Sequence, residues 1–215
     1  MPRGRASTYE DQRELILTRA AALFAKRGYA SASMNQVAEA CGLSKASLYH
    51  YYKDKYSLLV SIAEGHVSRL QALIDDESAA RLRGEARLRH MIHRIVAEYA
   101  NAQDAHRVLT EDVKFLTPED RERVLDKERR VVAGFARAVS EMRSGKPSAH
   151  LSKPLTMLLF GMINWMFTWM KPDGELDYAA MAPIVADLFL GGIEKVQLPE
   201  GADAIDPHDD AMAAP

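Results

Sequence analysis

The fold is decided by residues 31–55, which read SASMNQVAEACGLSKASLYHYYKDK. Ser33, followed three positions later by Gln36, forms a capping box, in which each residue satisfies a free backbone amide of the other. Gly42 supplies the positive φ that a tight turn between two helices requires. Ser44 is placed to cap the next helix. The stretch therefore predicts two short helices joined by a three-residue turn.

A longer helix is expected on each side of this pair. Thr8 is the expected N-cap of the first helix, and Lys26 and Arg27 suit its last turn before Gly28 ends it. Asp54 is the expected N-cap of a long fourth helix. Packed against the first helix, the short pair has the form of a helix-turn-helix, a DNA-binding motif.

The remaining sequence also shows helical spacing and almost no alternating β-branched pattern, so we predict an all-α protein. The division we expect is a helix-turn-helix domain over 1–54, a larger helical domain over 55–198, and a disordered tail over 199–215. Thr117 and Pro118 mark a helix start, and Pro183 is expected to kink the last helix or move its start. Further helices are expected near 85–103, 105–116, 118–142, 154–170 and 178–196.

Composition is that of an ordinary globular protein, with 47% hydrophobic residues and one cysteine, Cys41. A single cysteine excludes an intramolecular disulfide framework, and the basic start lacks the apolar segment of a signal peptide. The longest apolar run, Leu155 to Met170, falls short of the roughly 20 residues of a membrane span. We therefore expect a cytoplasmic protein with no membrane partner.

Charge is distributed unevenly along the chain. Residues 1–55 hold nine Lys and Arg against five Asp and Glu, whereas the remainder holds nineteen against twenty-five. The front of the protein is therefore the part suited to a polyanion.

In a helix-turn-helix, the N-terminal half of the second helix enters the major groove of DNA. Tyr49 and Tyr52 are three positions apart, so they lie on different flanks of the helix and cannot both face the same surface. We assign Tyr49 to phosphate and Tyr52 to the core. A lysine at the positive end of the fourth helix suits a phosphate, and Arg3 and Arg5 are candidates for added DNA contacts. The residues expected to contact DNA are Ser33, Ser44, Lys45, Ala46, Ser47, Tyr49, His50 and Lys55.

This part of the sequence resembles the TetR family of bacterial repressors. Two positions depart from the family pattern: Tyr52 stands where phenylalanine is usual, and Ala46 stands where glycine is common, which puts in doubt which base is read there. The matching positions are Ala21, Phe24, Gly28, Val37-Ala38, Gly42-Leu43-Ser44, Leu48-Tyr49-His50-Tyr51-Tyr52 and Lys55-Tyr56-Ser57-Leu58.

The resemblance implies a homodimer joined through the last two helices, double-stranded operator DNA as partner, and a small-molecule effector. It thus makes 55–198, which we call the body, an effector-binding and dimerisation domain. Apolar stripes from Leu155 to Met170 and from Ile184 to Ile193 permit such a dimer, and Gly161, Gly191 and Gly192 allow close helix approach. The predicted ligand-binding residues are Met91, Ile95, Tyr99, Phe115, Met162, Trp165, Met166 and Trp169.

The segment containing Asn164, Trp165, Trp169 and residues 171–176 also resembles TetR regulators that respond to acyl-CoA thioesters. This implies a repressor released from its operator by an acyl-CoA of fatty or aromatic acid catabolism. The alternative is a TetR-type sensor of bulky apolar compounds that controls efflux.

Other classes of function fit the residues less well. His90 and His93 lie one helical turn apart, with Asp104 and His106 beyond, but no complete metal ligand set is evident. Enzymatic motifs such as a glycine-rich phosphate loop or G-x-S-x-G are absent, so we expect no enzyme and no cofactor. A helical adaptor that does not bind DNA would not need the polar helix from Lys45 to Tyr52.

Overall fold

The computed structural model describes residues 4–76, 81–143, 151–170, 175–193 and 195–197. Within these ranges the chain is helical and has no strand, which confirms the predicted fold class. A short 3-10 helix spans Val113–Phe115. The α-helices are α1 (Gly4–Arg27), α2 (Met34–Ala40), α3 (Lys45–Tyr51), α4 (Lys55–Ile74), α5 (Gly84–Asn101), α6 (Gln103–Asp112), α7 (Pro118–Met142), α8 (Ser152–Asn164), α9 (Met166–Trp169) and α10 (Tyr178–Ile193).

The caps predicted around the short helix pair are present. Ser33 Oγ accepts from the amide of Gln36 at 3.3 Å, and Gln36 Oε1 accepts from the amide of Ser33 at 3.0 Å. Gly42 has a φ of 66°, in the left-handed region that favours glycine. Ser44 Oγ accepts from the amide of Ser47 at 3.0 Å and so caps α3. The local geometry of the helix-turn-helix therefore follows directly from its sequence.

Several helix ends differ from the prediction. The first helix begins at Gly4 and not after Thr8, because no proline or glycine interrupts residues 5–8 and a formed helix propagates readily. The helix expected over 154–170 begins at Ser152 and is interrupted at Trp165. The last helix runs through Pro183 without a shifted start. The expected tail over 199–215 lies outside the described residues.

Two hydrophobic cores share α4. The N-terminal core contains α1–α3, the first part of α4, α6 and the start of α7, and it includes Leu58 and Val67. The C-terminal core contains the end of α4 from Leu70 together with α5, α7, α8 and α10. α4 passes through both cores, so a single helix connects the two domains expected on either side of residue 55.

The apolar run from Leu155 to Met170 is divided between α8 and α9. In the part of the chain that the structure describes, no helix has both the length and the apolar character needed to cross a membrane.

The crossing of α4 and α7 depends on Gly134. A Cβ at this position would overlap Cγ2 of Ile74. We therefore expect Gly134→Ala to lower the free energy of unfolding by about 1–3 kcal/mol through overpacking, despite the helix preference of alanine. Gly65→Ala on α4 is the matched control, since its Cβ would meet only Arg69 Nη1 at 3.8 Å. Urea denaturation of both variants tests this, and equal stability would contradict it.

Candidate DNA-binding and effector sites

The outer surface of α3 is polar and exposed. Lys45, Ala46, Tyr49 and His50 all face solvent. Leu48 is fully buried and Tyr52 is 3% exposed, so the inner side of the helix is anchored in the N-terminal core. Tyr52 therefore lies in the core, as predicted, and Tyr49 is exposed, whereas its contact with phosphate stays a prediction.

The serines predicted to contact DNA act first as caps. Ser33 and Ser44 each bind a backbone amide, and Ser44 Oγ also lies 2.7 Å from Ser47 Oγ. Capping fixes where α2 and α3 begin and thereby the angle at which α3 is presented. Direct DNA contact by these hydroxyls stays a prediction.

Lys55 begins α4, as predicted, but its ammonium group has other partners than the predicted phosphate. Its Nζ donates to the carbonyl oxygens of Tyr29, Ala30 and Ala32 at 2.8, 3.1 and 2.8 Å. It also lies 4.4 Å from the centroid of the Tyr29 ring. All three donors of the ammonium are thus used within the protein, to hold the turn between α1 and α2, and the predicted phosphate contact is replaced by this structural role.

Aromatic contacts that the sequence did not reveal fix α3 against α1. The rings of Tyr9 and Tyr51 stack with centroids 5.0 Å apart. The guanidinium of Arg13 lies 5.1 Å from the centroid of the Tyr52 ring. Both contacts join the N-terminal half of α1 to the end of α3, the helix expected to enter the major groove. We call α1–α3 the DNA-binding unit.

The body meets this unit through α4, α6 and the start of α7. The hydroxyl of Tyr56 donates to the carboxylate of Asp120 and accepts from the amide of Thr117 at 2.9 Å. This hydrogen bond also lowers the pKa of Asp120. α6 packs along α1, so the body directly contacts the DNA-binding unit there.

The predicted ligand-binding residues do not all lie together. Phe115 is exposed and contacts Tyr29 beside the N-terminal core, with ring centroids 5.3 Å apart. Trp165 and Trp169 are 65% and 54% exposed. The structure therefore does not place these three side chains in the core with the other predicted residues, because periodicity identifies the faces of a helix but not the element that covers each face; their contact with a ligand stays a prediction. The residues that share the C-terminal core are Met91, Ile95, Tyr99 and Met166, with Met162 partly buried against it.

A polar cluster lies at the centre of the body, and we call it the polar centre: His66, Tyr99, His106 and Asn164. His66 Nε2 lies 3.3 Å from His106 Nδ1, and the hydroxyl of Tyr99 donates to Asn164 Oδ1 at 2.8 Å. Tyr99 stacks on His106 at 3.9 Å between centroids. His66 Nδ1 has no hydrogen-bond partner, and His106 Nε2 makes no hydrogen bond of full geometry, although the backbone of Asn164 interacts with this imidazole. Buried polar atoms of this kind are costly unless a ligand or water satisfies them.

The two imidazoles are neutral at physiological pH. Burial lowers the pKa of His66 to about 3 and that of His106 to about 4. A neutral pair joined by one hydrogen bond leaves one N–H donor and one acceptor nitrogen unused. Glu98 Oε1 lies 4.0 Å from His66 Nδ1, and burial raises the pKa of Glu128 on α7. Because the carboxyl groups of Glu98 and Glu128 already lie near the polar centre, it suits a neutral group of a ligand better than a ligand carboxylate.

An aromatic path connects the polar centre to the surface. The ring of Phe167 meets that of His106 edge-on at 5.5 Å. The guanidinium of Arg107 lies 5.3 Å from the Phe167 centroid, and its nearest carboxylate oxygen, on Glu111, is 4.0 Å away. The guanidinium of Arg107 therefore contacts the aromatic ring that packs against His106.

The histidines considered for a metal site are not brought together. His106 faces His66 in the interior, whereas His90 and His93 lie on α5. Among the described residues, no three His, Cys, Asp or Glu side chains are grouped so as to hold a metal ion.

α8 and α10 present an exposed apolar surface, which we call the apolar face. Leu158 is 65% and Leu188 66% exposed, and Ile184 and Trp165 are exposed as well. An added Cβ at Gly161, Gly191 or Gly192 would meet no atom within 4 Å. Large exposed apolar side chains on two adjacent helices are typical of a protein interface.

A solvent-facing recognition helix on a helical body with a buried polar centre defines the class of ligand-responsive, DNA-binding regulators. The chain belongs to the TetR family. Residues 16–62 match the model described as "Bacterial regulatory proteins, tetR family", and residues 81–193 match "Tetracyclin repressor-like, C-terminal domain". The protein is accordingly a transcriptional regulator and not an enzyme.

Solved structures of this family are similar over most of the chain. A TetR-family transcriptional regulator from Bordetella parapertussis 12822 is 31% identical with a TM-score of 0.76, covering 87% of this chain and 98% of that one. AibR, solved with isovaleryl coenzyme A and operator DNA, is 25% identical with a TM-score of 0.69, covering 84% of this chain and 96% of its own.

Similarity to curated proteins varies in extent. The repressor KstR2 of Rhodococcus jostii is 23% identical over 185 residues, which is 85% of this chain and 91% of KstR2. The regulator YerO of Bacillus subtilis is 35% identical over 57 residues, which is 26% of this chain and 20% of YerO. With YerO the similarity covers only a fifth of the relative's length.

Proposed function

We propose that the protein is a homodimeric repressor that leaves its operator when a coenzyme A thioester binds in the body. The observation that carries the proposal is the polar centre, because it places one unused hydrogen-bond donor and one unused acceptor inside an otherwise apolar core. The likeness to AibR, whose solved complex contains isovaleryl coenzyme A and operator DNA, supports the same ligand class.

The chemistry of the polar centre favours a thioester over the free acid. The unused N–H of the neutral pair of His66 and His106 donates to the thioester carbonyl, while the acyl chain packs among the apolar side chains of α5 and α8. A free carboxylate in the same place would be desolvated close to Glu128, and this raises the cost of burying its charge. Arg107, above Phe167, is the cation placed to meet a phosphate of coenzyme A.

Dimerisation supplies the two recognition helices that a palindromic operator requires. The apolar face on α8 and α10 is the surface we assign to this contact. Its exposed leucines bury apolar area, and its glycines permit the helices of the two subunits to approach closely.

We expect a CoA thioester to release the operator at a lower concentration than the corresponding free acid does. Fluorescence anisotropy of a labelled operator, bound by the protein and titrated with CoA thioesters and their free acids, measures this. We expect one thioester to release the DNA at a concentration about 30-fold or more below that of its acid. His106→Phe retains the stack on Tyr99 but removes the donor, so it should raise the thioester concentration needed about tenfold and leave operator affinity unchanged.

Equal potency of acid and thioester would contradict the proposal. Release by many bulky apolar compounds, with no need for coenzyme A, would replace it with the efflux-controlling sensor.

A further inference from the structure

Two phenyl rings meet in the interior of the body, and we call them the phenyl pair: Phe135 on α7 and Phe160 on α8. Their centroids are 5.1 Å apart and their planes cross at 73°, which is the edge-to-face arrangement that aromatic rings prefer. Phe135 is fully buried and Phe160 is 6% exposed. The pair therefore joins α7 to α8 within the C-terminal core.

We propose that the phenyl pair limits the length of the acyl group that the protein accepts, so that its effector carries a short- or medium-chain acyl group of at most about eight carbons. This length limit rests on the proposed function and names the class of acyl group that binds at the same site.

The direction of the acyl chain follows from the residues on either side of Asn164. Phe167, which contacts both His106 and the guanidinium of Arg107, lies on α9, beyond the C-terminal end of α8. Phe160 lies one helical turn before Asn164, on the opposite side. A thioester whose coenzyme A meets Arg107 therefore directs its acyl chain from the polar centre towards Phe160.

The distance from the polar centre to the phenyl pair sets the limit. Along α8, the four positions from Asn164 to Phe160 correspond to a rise of about 6 Å. Burial, and after it the charge of Glu128, raises the pKa of Tyr99, which places Glu128 at the level of the polar centre. Along α7, the seven positions from Glu128 to Phe135 correspond to a rise of about 10 Å. An extended chain advances about 1.3 Å per carbon, so about five to eight carbons fill this distance.

Side chains near the polar centre can make room for a ligand, whereas the phenyl pair cannot. Met162 and Met166 lie on either side of Asn164 in the sequence and pack in or against the C-terminal core. Their unbranched thioether chains adapt to the shape of a neighbour. The two rings lack this freedom, because displacing either one would break their contact and disturb a close-packed interior.

The core is also filled beyond the phenyl pair. Val139, one turn beyond Phe135, and Thr156, one turn beyond Phe160, are both fully buried. Thr156 Oγ1 donates to the carbonyl oxygen of Ser152 at 2.7 Å. A chain that passed the pair would overpack this layer, so each carbon beyond the limit should weaken binding.

Release of the labelled operator by a series of straight-chain CoA thioesters tests the length limit. Fluorescence anisotropy measures the potency of acetyl-, butyryl-, hexanoyl-, octanoyl-, decanoyl- and dodecanoyl-CoA. We expect the potency to rise about fourfold per added carbon from acetyl to hexanoyl, because each buried methylene contributes a similar free energy. It should then fall by about tenfold or more from octanoyl to dodecanoyl.

Variants of the phenyl pair separate a limit on length from general packing. Phe160→Ala should make dodecanoyl-CoA more potent by about tenfold or more, and should change the potency of hexanoyl-CoA by less than about threefold. Val139→Ala is the matched control, because it removes buried volume beyond the pair and should leave dodecanoyl-CoA as weak as before. Phe160→Leu keeps most of the volume, so it is expected to fold even if Phe160→Ala does not, and it should admit decanoyl-CoA.

Equal potency of dodecanoyl- and octanoyl-CoA with the unaltered protein would overturn the length limit and leave the proposed function intact. The same holds if the potency profile is unchanged in Phe160→Ala and Phe160→Leu. If no thioester of any length releases the operator, the proposed function fails and the length limit fails with it.

Discussion

Leu158→Glu is expected to convert the protein to a monomer and to abolish tight operator binding. Leu158 lies on the apolar face and is 65% exposed in the single chain. In a two-fold dimer each copy of the glutamate would be desolvated without a partner, at a cost of about 4 kcal/mol or more, which raises the dimer dissociation constant about a thousandfold. Because a monomer presents one recognition helix, operator affinity should fall by a comparable factor.

Sedimentation velocity and anisotropy on the same samples measure both effects. Leu15→Glu is the matched control, since Leu15 is an exposed leucine on α1, 40% exposed and outside the apolar face. It should leave the protein dimeric. A dimeric Leu158→Glu variant would assign the interface to another surface.

Lys45→Ala combined with Tyr49→Ala is expected to weaken operator binding at least a hundredfold without changing the fold. Both side chains are exposed on α3, and Lys45 Nζ lies 6.0 Å from the centroid of the Tyr49 ring. Each dimer loses two charge-assisted contacts and two phenol contacts, at about 1.5–3 kcal/mol for each charge-assisted contact. If Lys45 contacts phosphate, the slope of log affinity against log salt should become shallower by about 2.

Lys153→Ala removes the same charge from α8 and is the control for a general electrostatic effect. Anisotropy between 50 and 200 mM salt, a range over which phosphate contacts are clearly resolved, provides the measurement. Unchanged affinity and slope in the double variant would favour a helical protein that does not read DNA through α3.

Features determined by neighbouring residues were predictable from the sequence. The capping box of Ser33, the turn at Gly42 and the cap at Ser44 each depend on contacts within three or four positions. A capping serine, a turn glycine and a second capping serine in this order are typical of two short helices joined by a tight turn. The sequence therefore predicted the caps and the turn of the helix-turn-helix.

Features determined by distant partners were not predictable. The carbonyl oxygens that bind Lys55 belong to residues 23–26 positions away and have no side-chain signature. His66 and His106 are 40 positions apart, and neither stands in a recognisable motif. The two tryptophans fit an apolar stripe, yet they face outward, because a hydrophobic pattern does not distinguish a core from an interface.

The most direct test of the central claim is the anisotropy of a labelled fragment from upstream of the protein's own gene, titrated with protein at increasing salt. We predict binding by two chains per site with an affinity that falls steeply with salt, because several phosphate contacts release counterions. Binding by a single chain, or an affinity that does not change with salt, would contradict the assignment of the protein as a dimeric operator-binding regulator.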